Sequence, residues 1–107
     1  MKMPLIFDEN GDISLYWSVQ DAQRGIEVID VKNGEYVAYD AAGRLLSLDT
    51  SNLGAIDIRC IESESLHTDE VLVALKRYLE ARVKDLDFQN MKLLELLQII
   101  ADRNLGN

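Results

Sequence analysis

The sequence predicts an α+β domain: an antiparallel meander sheet of about five or six strands, a short early helix, and two carboxy-terminal helices packed on the sheet. Three observations carry this. Residues 26–49, IEVIDVKNGEYVAYDAAGRLLSLD, hold two alternating runs around Asn33-Gly34 and a third after the turn Asp40-Ala41-Ala42-Gly43. Asn-Gly between such runs is the strongest short-range hairpin signal, because a type I′ turn needs positive φ at both central residues. A second Asn-Gly, at residues 10 and 11, separates KMPLIF from DISLYW. Beyond residue 67 the apolar period lengthens from two to three and four, which is the helical period.

In order, residues 2–7 and 12–17 form the first hairpin, with the first strand at a sheet edge because Pro4 lacks an N–H. Ser18 caps a two-turn helix, Asp21 suits its positive end, and Gly25 closes it at the C′ position. Strands follow at 26–31, 35–40 and 44–49. A polar turn spans 50–54, and 55–62 alternates cleanly, with Ile56, Ile58 and Cys60 on one face and Asp57 and Arg59 on the other. Thr68 caps the next helix, whose stripe is Val71, Leu72, Leu75, Tyr78, Leu79 and Val83. Asp87 caps the last, with Met91, Leu94, Leu97, Gln98 and Ala101 on one side and Leu93, Leu96 and Ile100 widening it. Of the adjacent pair Tyr16 and Trp17 one points outward, and Trp17 is assigned to the core.

The 107 residues suit a single domain, 1–107, with one modest core. No apolar run approaches the ~20 residues of a membrane span, and the acidic amino terminus is unlike a secretory signal. One cysteine excludes an intramolecular disulfide and fits a cytoplasmic protein. The net charge is −8 and unevenly spread: residues 1–66 carry twelve acidic and five basic side chains, and residues 67–107 seven and six. Such a field repels nucleic acid and anionic membrane and speeds encounter with a basic partner.

Chemistry is sparse. Cys60 and His67 are the only candidates for a thiolate–imidazole pair, and nothing in the sequence orients them, so Cys60 reads as a small buried hydrophobe and His67 as a boundary residue. One cysteine and one histidine are too few for zinc, and residues 8–12 lack the frame of a calcium loop, so no metal or other cofactor is expected. No phosphate-cradling glycine motif is present. Asp30 with Glu35, Glu62 with Glu64 and Asp85 with Asp87 have the spacing of carboxylate pairs, and read as solvated acids. Lys76, Arg77, Arg82 and Lys84 read as a solvated face ion-paired locally with Glu80 and Asp85. No enzyme is predicted.

Residues 18–48, SVQDAQRGIEVIDVKNGEYVAYDAAGRLLSL, resemble the core of small bacterial immunity proteins of polymorphic toxin and contact-dependent growth inhibition systems. The resemblance implies a non-catalytic cytosolic protein that binds one cognate toxin and blocks its active site or substrate groove. It carries no functional residue over. A toxin acting on nucleic acid would present basic surface, and acids on turns and exposed strand faces would meet it. Asp8, Glu9 and Asp12 at the first hairpin tip, Asp57, and Glu62 with Glu64 are therefore the expected contacts. Two alternatives stand beside this reading. One is a homo-oligomeric adaptor, a homodimer for example, using the apolar face of 91–101; the other is a small ligand-binding protein with a pocket between sheet and helices.

Overall fold

A computed structural model describes residues 1–51, 54–61 and 65–106. The first hairpin forms as the sequence predicts. β1 (Leu5–Glu9) pairs with β2 (Asp12–Tyr16), and Asn10 and Gly11 turn the chain with φ of 53° and 95°. The Asp8 carboxylate accepts the Gly11 N–H at 2.7 Å and holds the turn. Ser18 caps α1 (Val19–Gly25), its hydroxyl accepting the Asp21 N–H at 3.0 Å.

The next segment departs from the expected strand. Residues 28–32 form a short helix, α2 (Val28–Lys32), where an alternating strand and an Asn33-Gly34 hairpin were expected. Asn33 has φ of −84°, so no type I′ turn exists there. Gly34, at φ 66°, closes the helix instead: its N–H donates to Val31 O, and the Glu35 N–H donates to Asp30 O. These two bonds make a Schellman cap, which needs a glycine after the helix as strictly as the hairpin would. Val28 and Val31, three residues apart, pack on the core as neighbours on one helical face.

β3 (Tyr36–Tyr39) therefore does not return along a preceding strand. It pairs antiparallel with β1, giving the order β2-β1-β3. β1 is central rather than at an edge, because Pro4 precedes the strand and removes no ladder N–H. Burial on both faces explains why the consecutive residues Leu5, Ile6 and Phe7 are all fully buried. After a single bridge, Tyr39 to Leu45, the chain leaves this sheet. β4 (Leu46–Thr50) and β5 (Ile56–Cys60) pair only with each other. Among the described residues five strands thus form a three-stranded and a two-stranded antiparallel sheet in place of one meander. The expected turn at 50–54 and the end of the expected strand at 55–62 fall partly outside the described residues.

The central sheet separates two cores. On one face Ile6, Ile13 and Leu15 meet Val71, Leu75, Tyr78 and Leu79 of α3 (Thr68–Arg82) and Leu96 and Ile100 of α4 (Leu93–Asp102). On the other, Leu5, Phe7, Tyr16 and Ala38 meet Ala22, Ile26 and the inner residues of the β4–β5 hairpin. Phe7 is packed edge-on between Tyr16 and Tyr36, with centroids 5.6 and 5.8 Å away. The helix caps differ from expectation. His67 rather than Thr68 occupies the N-cap of α3, and α4 begins at Leu93 with Lys92 as cap, well beyond Asp87. The inner side of α4 is Leu96 and Ile100 flanked by Leu93 and Leu97; Leu94, Gln98 and Ala101 face outward. Trp17 is outward too, at 37% exposure, and donates its indole N–H to Leu105 O at 2.6 Å, while Tyr16 takes the core position.

Asp40, fully buried, fastens the junction of the two sheets. Its carboxylate accepts the backbone N–H groups of Lys2, Ala42 and Arg44 at 2.9–3.0 Å and the Arg44 guanidinium at 3.1 Å. Burial pushes the carboxyl up, but these four donors outweigh it and hold its pKa below the usual range. The turn it organises carries Gly43, at φ 91°, whose carbonyl accepts the His67 N–H at the start of α3.

Two outcomes are expected from urea unfolding. Asp40→Ala lowers stability at pH 7 by about 3 kcal/mol, since it removes the buried acceptor of three part-buried backbone N–H groups and of Arg44. Because the folded carboxyl is the stronger acid, that contribution is full above the unfolded value of about 4 and shrinks as pH falls below it; the gap between Asp40→Ala and the parent chain therefore narrows at pH 3. Gly25→Ala also destabilises, by about 1–3 kcal/mol. Gly25 lacks the positive φ of a C′ glycine, and a Cβ there would stand 2.5 Å from the buried Tyr16 ring. A residue acting only as a helix stop at helical φ would instead gain stability with alanine.

Candidate protein-binding surface

The hairpin tip of β1 and β2 gathers acids from three parts of the chain. Glu9 ends β1, and its cross-strand partner is Tyr36 at the start of β3. The Schellman cap of α2 sets Glu35 just before that strand and Asp30 one turn back in the helix. Carboxylate oxygens of Glu9, Asp30 and Glu35 consequently lie within 4.8 Å of one another. Hydrogen bonding to Asp30, reinforced by its charge, raises the carboxyl pKa of both Glu9 and Glu35, and Asp12 across the hairpin adds to the effect on Glu9. None of the three forms an ion pair with a described residue. Three carboxylate oxygens are also the donor type of a hard divalent cation, although exposed acids meet in this way without one.

A groove of about 350 Å³ lies between α3 and the sheet. Asp8 and Tyr39 line its sheet side; Asp69, Glu70, Val73 and Arg77 line its helix side. The register explains the sheet side. Asp8 stands opposite Val37 and Ile6 opposite Tyr39, so all four point to the face that α3 covers. The helix lies over β1 and β2, which leaves Val37 on the outer strand 47% exposed and Val73 58% exposed.

The expected contacts distribute unevenly. Asp8, Glu9 and Asp12 do meet at one tip, with Asp8 serving the turn and the groove at once. Asp57 is elsewhere, on β5 of the second sheet, and its carboxylate is matched by Arg59 at 2.7 Å. Glu62 and Glu64 lie outside the described residues. Asp30 with Glu35 was visible as a spaced carboxylate pair, but its convergence on Glu9 depends on the helix and cap. Asp69 and Glu70 carried only a helix-dipole meaning in the sequence.

Of the remaining groups, Asp85 is held by both guanidinium nitrogens of Arg103 at 3.0–3.2 Å, and Lys76 and Lys84 donate to the backbone carbonyls of Gln89 and Glu80. Arg82 stacks on Tyr78, and Arg77 forms no ion pair with a described residue, so the expected local pairing on α3 does not form. His67 stacks near Tyr39 with Nδ1 3.8 Å from Glu70, while Cys60 packs in the second core against the opposite face of the sheet. No helix among the described residues is long and apolar enough to cross a membrane. No family model, curated protein or solved structure matches the chain.

Asp30→Asn removes the group that raises its two neighbours. Carbon-detected titration is expected to show the midpoints of Glu9 and Glu35 falling toward the ordinary glutamate value. The sign for stability follows from linkage: a raised folded pKa stabilises below the unfolded value, and that contribution disappears as pH rises through the folded one. The parent chain should therefore lose thermal stability relative to Asp30→Asn on going from pH 4 to pH 7.

Proposed function

We propose that this protein is an immunity-type inhibitor, a non-catalytic cytoplasmic protein that neutralises a cognate toxin by binding it directly. The observation that carries the reading is the uncompensated acid group of Glu9, Asp30 and Glu35 at the sheet end, flanked by Asp8 and Asp12. These carboxylates sit on strand ends and a capped helix, so they face a partner without a large ordering penalty. A basic, nucleic-acid-binding toxin surface complements them, and at a net charge of −8 long-range attraction would accelerate association. The partial resemblance of residues 18–48 to immunity proteins points the same way.

Co-expression with the product of the adjacent reading frame is the test. A one-to-one complex that rescues growth is expected, with the isolated chain sedimenting as a monomer. The triple variant Glu9→Gln, Asp30→Asn, Glu35→Gln should slow association by about tenfold at low salt and flatten its salt dependence. Asp57→Asn should leave it nearly unchanged, because Arg59 already balances that charge. Neutralising Asp57, Glu62 and Glu64 together examines the second expected patch. A harmless neighbouring product and a chain recovered alone would overturn the reading, and an obligate oligomer would move self-association through 91–101 to the front.

A further inference from the structure

We infer that the groove between α3 and the outer strand β3 is a docking site for an extended, basic segment of a partner protein carrying one apolar anchor residue. Its floor and rim are apolar where a side chain can enter. Val73 on the helix is 58% exposed, and Tyr39 and Ala74 continue this surface inward; Val37, cross-strand from the lining residue Asp8, is 47% exposed. Exposed valines on the outer strand and on the helix that covers its neighbours are surface that folding leaves uncovered. The volume of about 350 Å³ accepts one or two side chains and lies at the small end of the range for ligand sites.

Charge selects the occupant. Among the described residues, Asp8, Asp69 and Glu70 bring three carboxylates to the groove against one guanidinium, that of Arg77. Lysine or arginine flanking the anchor residue would meet these acids. A second copy of this chain, at a net charge of −8, would bring like charge to like charge. Arg77 stands at the Gly11 end, where an added Cβ would lie 3.4 Å from its guanidinium. As the one cation among the described lining residues it gives the site polarity, donating to a backbone carbonyl or terminal carboxylate of the segment at that end. Taking the partner to be basic rests on the function proposed above; the groove itself is tested on the isolated chain, so failure to find a toxin and failure of the groove are separate results.

The test is a two-dimensional NMR titration of the full chain with the synthetic peptide acetyl-Lys-Val-Arg-Leu-Lys-amide, and with its acidic analogue acetyl-Glu-Val-Glu-Leu-Glu-amide. Saturable shifts at Val37, Tyr39, Val73 and Arg77 are expected with the basic peptide below about 1 mM, the weak end of specific affinities, and none with the acidic one. Asp69→Asn with Glu70→Gln should weaken binding by about tenfold. Val73→Ser should do so without unfolding the chain, since that side chain is largely exposed. Shifts confined to Glu9, Asp30 and Glu35 would overturn the groove while leaving the acidic end in place. Equal response to both peptides, absence of saturation, or peptide-independent shifts that grow with protein concentration would each overturn it as well.

Discussion

The carboxylate of Asp40 has no contact with water, and three backbone N–H groups converge on it from residues 2, 42 and 44. Much of the architecture hangs on that convergence. It fixes where the outer strand β3 ends, ties the amino terminus alongside, and shapes the turn that sends β4 away from the first sheet. The same turn receives the first residue of the α3 cap, so the helix that forms one wall of the groove is positioned from a buried acid at its foot. A carboxylate can do this because it accepts several donors at once, and its charge is offset locally by Arg44.

The acids at the surface fall into two kinds. Asp21 and Asp85 have arginine partners that lower their pKa values, and Asp57 has Arg59. Glu9, Asp30 and Glu35 have one another. Surface repulsion of this kind lowers stability slightly, and a protein with no use for it can relieve it by a single amide substitution. Its presence at one end of the sheet, in a chain that also exposes Val37 and Val73, is a physical reason to propose that surface there is covered by a partner.

Two stretches with the same Asn-Gly dipeptide show how far the sequence could be read. At residues 10 and 11 the flanking runs are strands, and the dipeptide turns them. At residues 33 and 34 the preceding run Val28 to Lys32 is rich in β-branched residues, yet it is too short to show whether its period is two or three. Glycine with positive φ serves both structures, and the partner decided between them, because β1 was available to pair with β3. The helical part was legible where the stripe was long, as in α3, and less so in α4, where leucine and isoleucine surround the axis and hide the inward face. Acidity was legible, and its focus was not. The convergence of Glu9 with Asp30 and Glu35 needs the α2 helix and its cap, while the groove needs the register of β3 on β1.

Trp17 is the only tryptophan in the chain, and it is neither in a core nor free in solvent. Its indole nitrogen is hydrogen-bonded to a carbonyl three residues beyond the end of α4, and Gly106 packs close against it. The protein therefore has one tryptophan fluorophore, which can be excited apart from its four tyrosines, placed at the seam between its first hairpin and its carboxy-terminal segment. Its emission should register undocking of that segment separately from events at the groove, whose lining residues do not include it. Detachment of the tail and occupation of the acidic end would then be told apart in the unmodified protein, with no label introduced.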